Sequence, residues 1–134
     1  MKKITVLLIL ILAAVFLAAC TGAGQNGAGS AAEKYFQAIA DGDEDRIATL
    51  SCPDWESSAR SDVAAFKGVK ARLEKVSCQP VSASSETTTD STVVECSGAI
   101  VATYNNEDSN FDLKGKQLII QKQAGEWLVC GYAR

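Results

Sequence analysis

The residues that could carry chemistry in this chain are five cysteines, three tyrosines and a set of carboxylates, because the sequence contains no histidine. Without histidine the chain lacks the most frequent general base, the usual partner of a catalytic serine or cysteine, and a common metal ligand. No two cysteines have the Cys-x-x-Cys spacing of redox and zinc sites. We therefore expect no catalytic residue, no metal site and no cofactor.

Two acidic clusters, Asp41–Asp45 and Asp108–Asp112, invite comparison with a calcium-binding loop. An EF-hand loop needs glycine at its sixth position and glutamate at its twelfth. The first cluster has Arg46 and Cys52 at those positions, and the second fails the same test. We interpret the first as the acidic start of a helix and the second as a hairpin loop.

The first 19 residues have the pattern of an export signal. Lys2 and Lys3 precede the uncharged residues 4–19, a stretch shorter than the roughly 20 residues of a membrane-spanning helix. It ends in Leu-Ala-Ala followed by Cys20, which resembles the lipobox of bacterial lipoproteins. In that family the cysteine takes a diacylglyceryl group and cleavage makes it the first mature residue. The resemblance implies that Cys20 is lipidated and carries fatty acids such as palmitate.

The alternative for the N-terminus is an ordinary secretory peptide cut after Ala19, with Cys20 a free thiol. The cysteine count favours the lipoprotein, since the other four cysteines can pair with nothing left over. The expected location is the extracytoplasmic face of the cell membrane, in the cell envelope, with the membrane as a partner through the lipid on Cys20.

The charge balance excludes nucleic acid as a partner. The chain has a formal net charge of −3, and removal of residues 1–19 removes two lysines and no acid. A nucleic-acid-binding domain needs a basic face. An acidic body also gains nothing electrostatically from an anionic bilayer, so the lipid must hold it there.

The sequence divides into a signal peptide (1–19), a lipidated cysteine with a glycine-rich flexible linker (20–29), and a folded domain (30–134). A linker of this composition has a root-mean-square reach of about 15–18 Å. The change of character falls at Ser30, which with Glu33 fits a capping box at the start of a helix.

The domain is expected to be α+β: two or three N-terminal helices packed on a curved four-stranded antiparallel sheet, with two disulfides. Asp43 is expected to cap the second helix, and Gly68 to end the third helical piece. The predicted strands are 69–81 with a bulge, 91–104, 111–122 and 126–132, and residues 105–110 are expected to form a loop.

Hairpin register predicts how the cysteines pair. A turn at residue 87 places Cys78 opposite Cys96, and the next two turns place Cys96 opposite Ile119 and Ile119 opposite Cys130. Cys96 and Cys130 would then lie about 9.5–10 Å apart, beyond the ~7 Å limit for a disulfide. We therefore expect Cys78–Cys96 and Cys52–Cys130, the second joining the helical layer to the sheet.

Four apolar residues are expected on the sheet face opposite this cysteine row: Leu118, Ile120, Trp127 and Val129. If the helices cover the cysteine face, these residues form an exposed interaction face for a homodimer or an envelope protein partner. The alternative is that bends of the sheet and the chain termini cover them.

The order of elements resembles the nuclear-transport-factor-2-like superfamily, a cone-shaped α+β fold. Residues 32–43, running into Ile47 and Leu50, and the closing strand 125–129 carry the resemblance. With the lipobox, the chain is similar to small bacterial lipoproteins of that superfamily whose function is uncharacterised.

The resemblance leaves more than one function open, because this superfamily hosts enzymes and binding modules. We expect a lipid-anchored extracytoplasmic binding or interaction domain without a catalytic role. The alternative is an isomerase- or dehydratase-like enzyme that uses Tyr35 or Tyr104 with a carboxylate inside the cone. The sequence shows no acid on the inward face of Tyr104, since Glu95 has the opposite parity. A purely structural surface protein is the third possibility.

Overall fold

The computed structural model describes residues 26–81 and 88–134 as three helices and one five-stranded antiparallel sheet. The elements are α1 (Asn26–Asp41), α2 (Glu44–Thr49), α3 (Glu56–Ala64), β1 (Lys70–Pro80), β2 (Ser91–Tyr104), β3 (Glu107–Asp112), β4 (Lys116–Gln123) and β5 (Glu126–Tyr132). The α+β class is confirmed. The sheet has five strands rather than four, because the predicted 105–110 loop and 111–122 strand form β3 and β4.

The predicted signal peptide and Cys20 lie outside the described residues. Within the two described ranges, no helix has both the length and the apolar character required to cross a bilayer.

Helix α1 begins at Asn26, inside the predicted linker, so the N-cap predicted at Ser30 is wrong. The reason is close packing. A Cβ added at Gly27 would lie 2.7 Å from the indole of Trp127, and one at Gly29 would strike the carbonyl oxygen of Cys78. These glycines let the helix approach the sheet, which offsets their poor helix propensity. Glu33 does not cap the helix, and its Oε1 instead accepts a hydrogen bond from the Cys78 N–H at 3.0 Å.

The core lies between α1 and one face of the sheet. Helix α1 contacts β1, β2, β4 and β5, and its buried residues recur at helical spacing, namely Ala28, Ala32, Tyr35, Phe36 and Ile39. The sheet contributes alternate residues from its strands, chiefly Val94, Cys96, Ile100, Ala102, Leu118, Ile120 and Val129. The helix therefore covers most of the sheet's width.

The short helices follow α1 directly and bring the chain to the far edge of the sheet. Asp43 caps α2 as predicted, accepting a hydrogen bond from the Arg46 N–H at 2.9 Å. The next segment runs beside β5: the Val129 N–H donates to the Leu50 carbonyl at 2.9 Å, and the Cys52 N–H donates to the Val129 carbonyl at 2.8 Å. Residues 50–52 thus continue the sheet for a short distance.

The register of β1 on β2 agrees with the sequence prediction. Cys78 lies opposite Cys96, and the ladder shifts between Glu74 and Ser77, where a bulge was expected. Gly98 lies opposite this bulge with φ +92°, and a Cβ there would lie 2.5 Å from the Lys75 carbonyl oxygen. Because bulges bend strands, the sheet curves at this point.

The second half of the sheet has a register that the sequence prediction missed. Asn105 and Asn106, both with positive φ, form a two-residue turn, so Tyr104 pairs with Glu107. Strand β4 then pairs with the first half of β2, placing Cys96 opposite Lys116 instead of Ile119. The shift is three residues, an odd number, and an odd shift moves every side chain of a strand to the other face.

Both predicted disulfides are present. Cys78 pairs with Cys96 at a Cα–Cα distance of 4.1 Å, and Cys52 pairs with Cys130 at 4.9 Å. The predicted lateral row of cysteines is wrong, however. Ile119 lies opposite Gly131, and Cys130 falls at the irregularity in the β4–β5 ladder. That irregularity places Cys130 within reach of Cys52 at the sheet edge.

The predicted interaction face is also wrong. Leu118, Ile120 and Val129 are fully buried in the core, and Trp127 is partly buried against it. The four residues do share one face of the sheet, but the odd register shift turns it toward α1. They therefore hold the helix to the sheet and offer no exposed surface for a partner.

We expect Gly98→Ala to lower the free energy of unfolding more than Gly115→Ala. Both glycines have positive φ, a conformation that costs alanine about 1 kcal/mol. Only the new Cβ at position 98 meets backbone atoms, while position 115 is open; overpacking adds about 1–3 kcal/mol. Urea unfolding of the two variants measures the difference, and equal losses would contradict the proposed close contact with the β1 bulge.

Candidate functional site

An open cleft of 540 Å³ lies between α1, α3 and the distal half of the sheet. Its walls are mainly apolar and come from Phe36, Ile39, Ala65, Phe66, Ile100, Tyr104, Phe111 and Leu113. Its polar groups are few, namely Ser61, Asp62, Asp112, Lys116 and the hydroxyl of Tyr132. A volume of this size, with apolar walls and a few polar groups, is typical of small-molecule sites.

The rim of the cleft is aromatic. Among the described residues, the large hydrophobic side chains that are exposed are Tyr104 (39%), Phe111 (43%) and Tyr132 (36%), and all three line this cleft. Phe111 packs edge-to-face on the buried Phe66 with ring centroids 5.1 Å apart, and Lys116 Nζ lies 5.8 Å from the Tyr132 ring centroid. The rim therefore exposes apolar surface while its rings are held in place.

The floor of the cleft is a hydrogen-bonded cluster centred on Asp62. Tyr132 donates its hydroxyl to Asp62 Oδ2 at 2.8 Å, and Tyr35 donates to the same oxygen at 3.1 Å. The indole N–H of Trp55 donates in turn to the Tyr35 hydroxyl oxygen at 3.1 Å. Both hydroxyl bonds end on Oδ2, so Oδ1 takes part in neither of them.

The two tyrosine hydroxyls in this cluster are neutral donors. Burial raises the pKa of the Tyr35 hydroxyl above its ordinary value of 10.0, with Asp62 adding to the rise against the hydrogen bond from Trp55. Burial also raises the pKa of Tyr132, whose hydroxyl points inward, and Tyr35 and Asp62 act in the same direction. Both groups therefore keep their protons well above neutral pH.

Sequence reasoning found only part of this site. Tyr35 is completely buried below the floor and Tyr104 lies at the rim. Both tyrosines are therefore on the inward side, as the sequence analysis considered. The expectation that no acid joins them was wrong, because Asp62 comes from α3. One signal was present: Asp62 follows the buried Ala59 by three residues, a spacing that places the two on the same side of α3.

The two acidic clusters have structural roles. Asp43 caps α2, and Asp41 forms an exposed ion pair with Arg46 at 3.3 Å. In the second cluster, Asp108 accepts hydrogen bonds from Thr103 at 2.7 Å and from Arg72 at 2.9 Å. These contacts explain the acids as a helix cap and a hairpin cross-link. The second cluster lies in strand β3, where a hairpin loop was predicted.

The arrangement in the cleft can bind a small molecule in a defined orientation. Aromatic walls take an apolar body, and the Asp62 carboxylate takes a hydroxyl or amine donor. Neither Tyr35 nor Tyr132 can donate to a ligand without first giving up its hydrogen bond to Asp62. A fixed acceptor in an apolar site is a device for specificity, because ligands without a matching donor leave it unpaired.

Solved structures with a similar fold are known. A protein of unknown function from Mycobacterium tuberculosis is 14% identical over 78% of this chain and 69% of its own, with a TM-score of 0.53. A candidate ketosteroid isomerase from Shewanella frigidimarina is 18% identical over 77% of this chain and 89% of its own, with a TM-score of 0.48. A cystatin-like protein of unknown function from Nostoc punctiforme is 11% identical over 75% of this chain and 80% of its own, with a TM-score of 0.47.

No protein-family model and no curated protein sequence matches the chain. At 14% identity, the similarity to the mycobacterial protein shows a shared fold alone. Any function must therefore be argued from the cleft itself.

We expect the Cys52–Cys130 disulfide to position the cleft floor, since Trp55 and Tyr132 follow its two cysteines closely. A first variant replaces Cys52 and Cys130 by serine, and a second replaces Cys78 and Cys96. The free energy of unfolding should fall by about 4.5 kcal/mol in the first variant and about 3 kcal/mol in the second, because the first disulfide closes the longer loop. Only the first replacement should also shift the indole N–H resonance of Trp55, measured by NMR. An unchanged Trp55 resonance in the first variant, or an equal shift in both, would contradict this positioning role.

Proposed function

We propose that this protein is a lipid-anchored extracytoplasmic domain of the nuclear-transport-factor-2-like superfamily that binds a small, mainly apolar molecule. The ligand carries a hydroxyl or amine group that donates to Asp62 at the floor of the cleft. The observation that carries the proposal is the aromatic rim, because within residues 26–81 and 88–134 the exposed large apolar side chains all line one cleft. Such exposure favours association with a partner surface or ligand.

The proposed anchor is supported by the cysteines. Cys20 follows the lipobox-like Leu-Ala-Ala, while the other four cysteines pair with one another. Disulfides of this kind are typical of compartments outside the cytosol. Two or more acyl chains would hold the protein at the membrane, where one chain alone binds only marginally.

The cleft can be tested with N-phenyl-1-naphthylamine, an apolar fluorescent probe with one N–H donor. We expect the mature domain to bind it with a rise in probe emission, and Phe111→Ala to weaken binding by about 5- to 30-fold, or about 1–2 kcal/mol. Leu128→Ala is the matched control, because Leu128 is half-buried on β5 and outside the cleft. Absence of binding, or equal weakening by both substitutions, would contradict the proposed site.

The anchor can be tested separately in cells. We expect Cys20→Ser to prevent incorporation of labelled palmitate and to move the protein out of the membrane fraction, because the substitution removes the sulfur that carries the lipid. Thr21→Ala is the control and should keep both the label and the membrane location. Labelling that survives Cys20→Ser would show that the lipid is elsewhere.

An enzyme that moves a proton on a small ligand is the second candidate, and the place of Asp62 on the cleft surface favours it. A carboxylate within reach of a bound ligand can serve as a general base. The two functions are distinguished by the fate of the ligand recovered from the protein. Chemical conversion that stops in Asp62→Asn would support the enzyme, and a ligand returned unchanged supports binding.

A further inference from the structure

The described domain has two ends, and α1 connects them. Glu33 contacts the Cys78 N–H, and further along the helix Gln37 shares a surface groove with Leu73. Helix α1 therefore runs antiparallel to β1, from the start of β2 toward its end. The first turn of α1 lies at the β4–β5 hairpin, where Gly27 meets Trp127; we call this the tethered end.

The cleft lies at the opposite end. Its contributors on α1 are Phe36 and Ile39, which at 1.5 Å per residue lie about 15–20 Å along the helix axis from Asn26. The other walls come from Ile100 and Tyr104 on the second half of β2. The cleft and the first turn of α1 are therefore separated by most of the length of the domain.

The chain between Cys20 and α1 is short, because the helix starts at Asn26. Six residues span at most about 20 Å, even when fully extended. A lipid on Cys20 therefore keeps the tethered end close to the bilayer surface. The tethered end also carries Lys122, whose Nζ lies 5.7 Å from the Trp127 ring centroid. A lysine is favoured near the anionic surface of a bilayer.

We propose that the tethered end faces the bilayer and that the cleft opens away from it, into the aqueous compartment. The ligand is then a water-borne small molecule with an apolar body, and not a lipid taken directly from the membrane. This inference rests on the lipid anchor and the cleft proposed above, and it adds the direction from which the cleft is loaded.

The two tryptophans of the chain allow a direct test, because Trp127 is at the tethered end and Trp55 is under the cleft floor. The full lipidated chain is placed in phosphatidylethanolamine–phosphatidylglycerol vesicles whose acyl chains carry bromine near the headgroup. Trp55→Phe leaves only the emission of Trp127, and Trp127→Phe leaves only that of Trp55. We expect a larger fractional loss of emission from Trp127 than from Trp55.

Controls keep the test independent of folding and anchoring. Wild-type emission is the sum of the emissions of both tryptophans. If one variant fails to fold, the emission of the missing tryptophan is obtained by subtracting that of the other variant from the wild-type value. Lengthening the linker with a flexible insert of about a dozen Gly and Ser residues after Gly24 should reduce the loss from Trp127, since reach grows with the square root of chain length. Sedimentation with vesicles and binding of N-phenyl-1-naphthylamine report the anchor and the cleft separately.

Two results would overturn the inference while leaving the cleft and the anchor standing. The first is a loss of Trp55 emission that equals or exceeds the loss of Trp127 emission, or no loss from either. The second is a phospholipid found in the cleft by native mass spectrometry of the extracted protein. A bound non-lipid molecule, lost on Phe111→Ala, would agree with loading from the aqueous side.

Discussion

The register of β4 on β2 is the constraint on which the rest of this structure depends. It turns Leu118, Ile120 and Val129 toward α1, and these side chains are the apolar surface that β4 and β5 contribute beneath the helix. The same register leaves the second half of β2 to pair with β3. Strands β3 and β4 diverge from each other along β2 where Gly98 lies opposite the β1 bulge. The cleft is the space beside this divergence, under α3.

The sequence predicted the features that depend on local pattern. Alternation of apolar and polar residues predicted the bounds of β2 correctly. The register of the hairpin that it forms with β1 was also predicted correctly, with Cys78 opposite Cys96. What failed depends on geometry that a pattern does not encode. The turn at Asn105–Asn106 changed the register of β4 on β2 by an odd number of residues. Every side chain of β4 therefore lies on the face opposite to the predicted one. Glycines at positions 27 and 29 were expected to loosen the chain, and they instead permit close packing of a helix.

The cleft was harder to predict than the fold, because its parts come from elements far apart in the sequence. Tyr35 could be placed on the inner face of α1 from helical spacing, but its partner Asp62 comes from a different helix and Tyr132 from the last strand. Burying the polar groups of this cluster lowers the stability of the domain, and the hydrogen bonds between these groups offset the loss. The covalent link from Cys52 to Cys130 holds together the two segments that carry Trp55 and Tyr132.

The short run of residues 50–52 beside β5 has a consequence for solubility. An open sheet edge offers unpaired N–H and C=O groups to the strands of other molecules, which is a common start of aggregation. Here the backbone groups of Val129 at that edge are already bonded to Leu50 and Cys52. Because Cys52 is also bonded covalently to Cys130, an incoming strand cannot displace the run at this point. The protein thereby blocks one stretch of this border against polymerisation with a few residues and a single covalent bond.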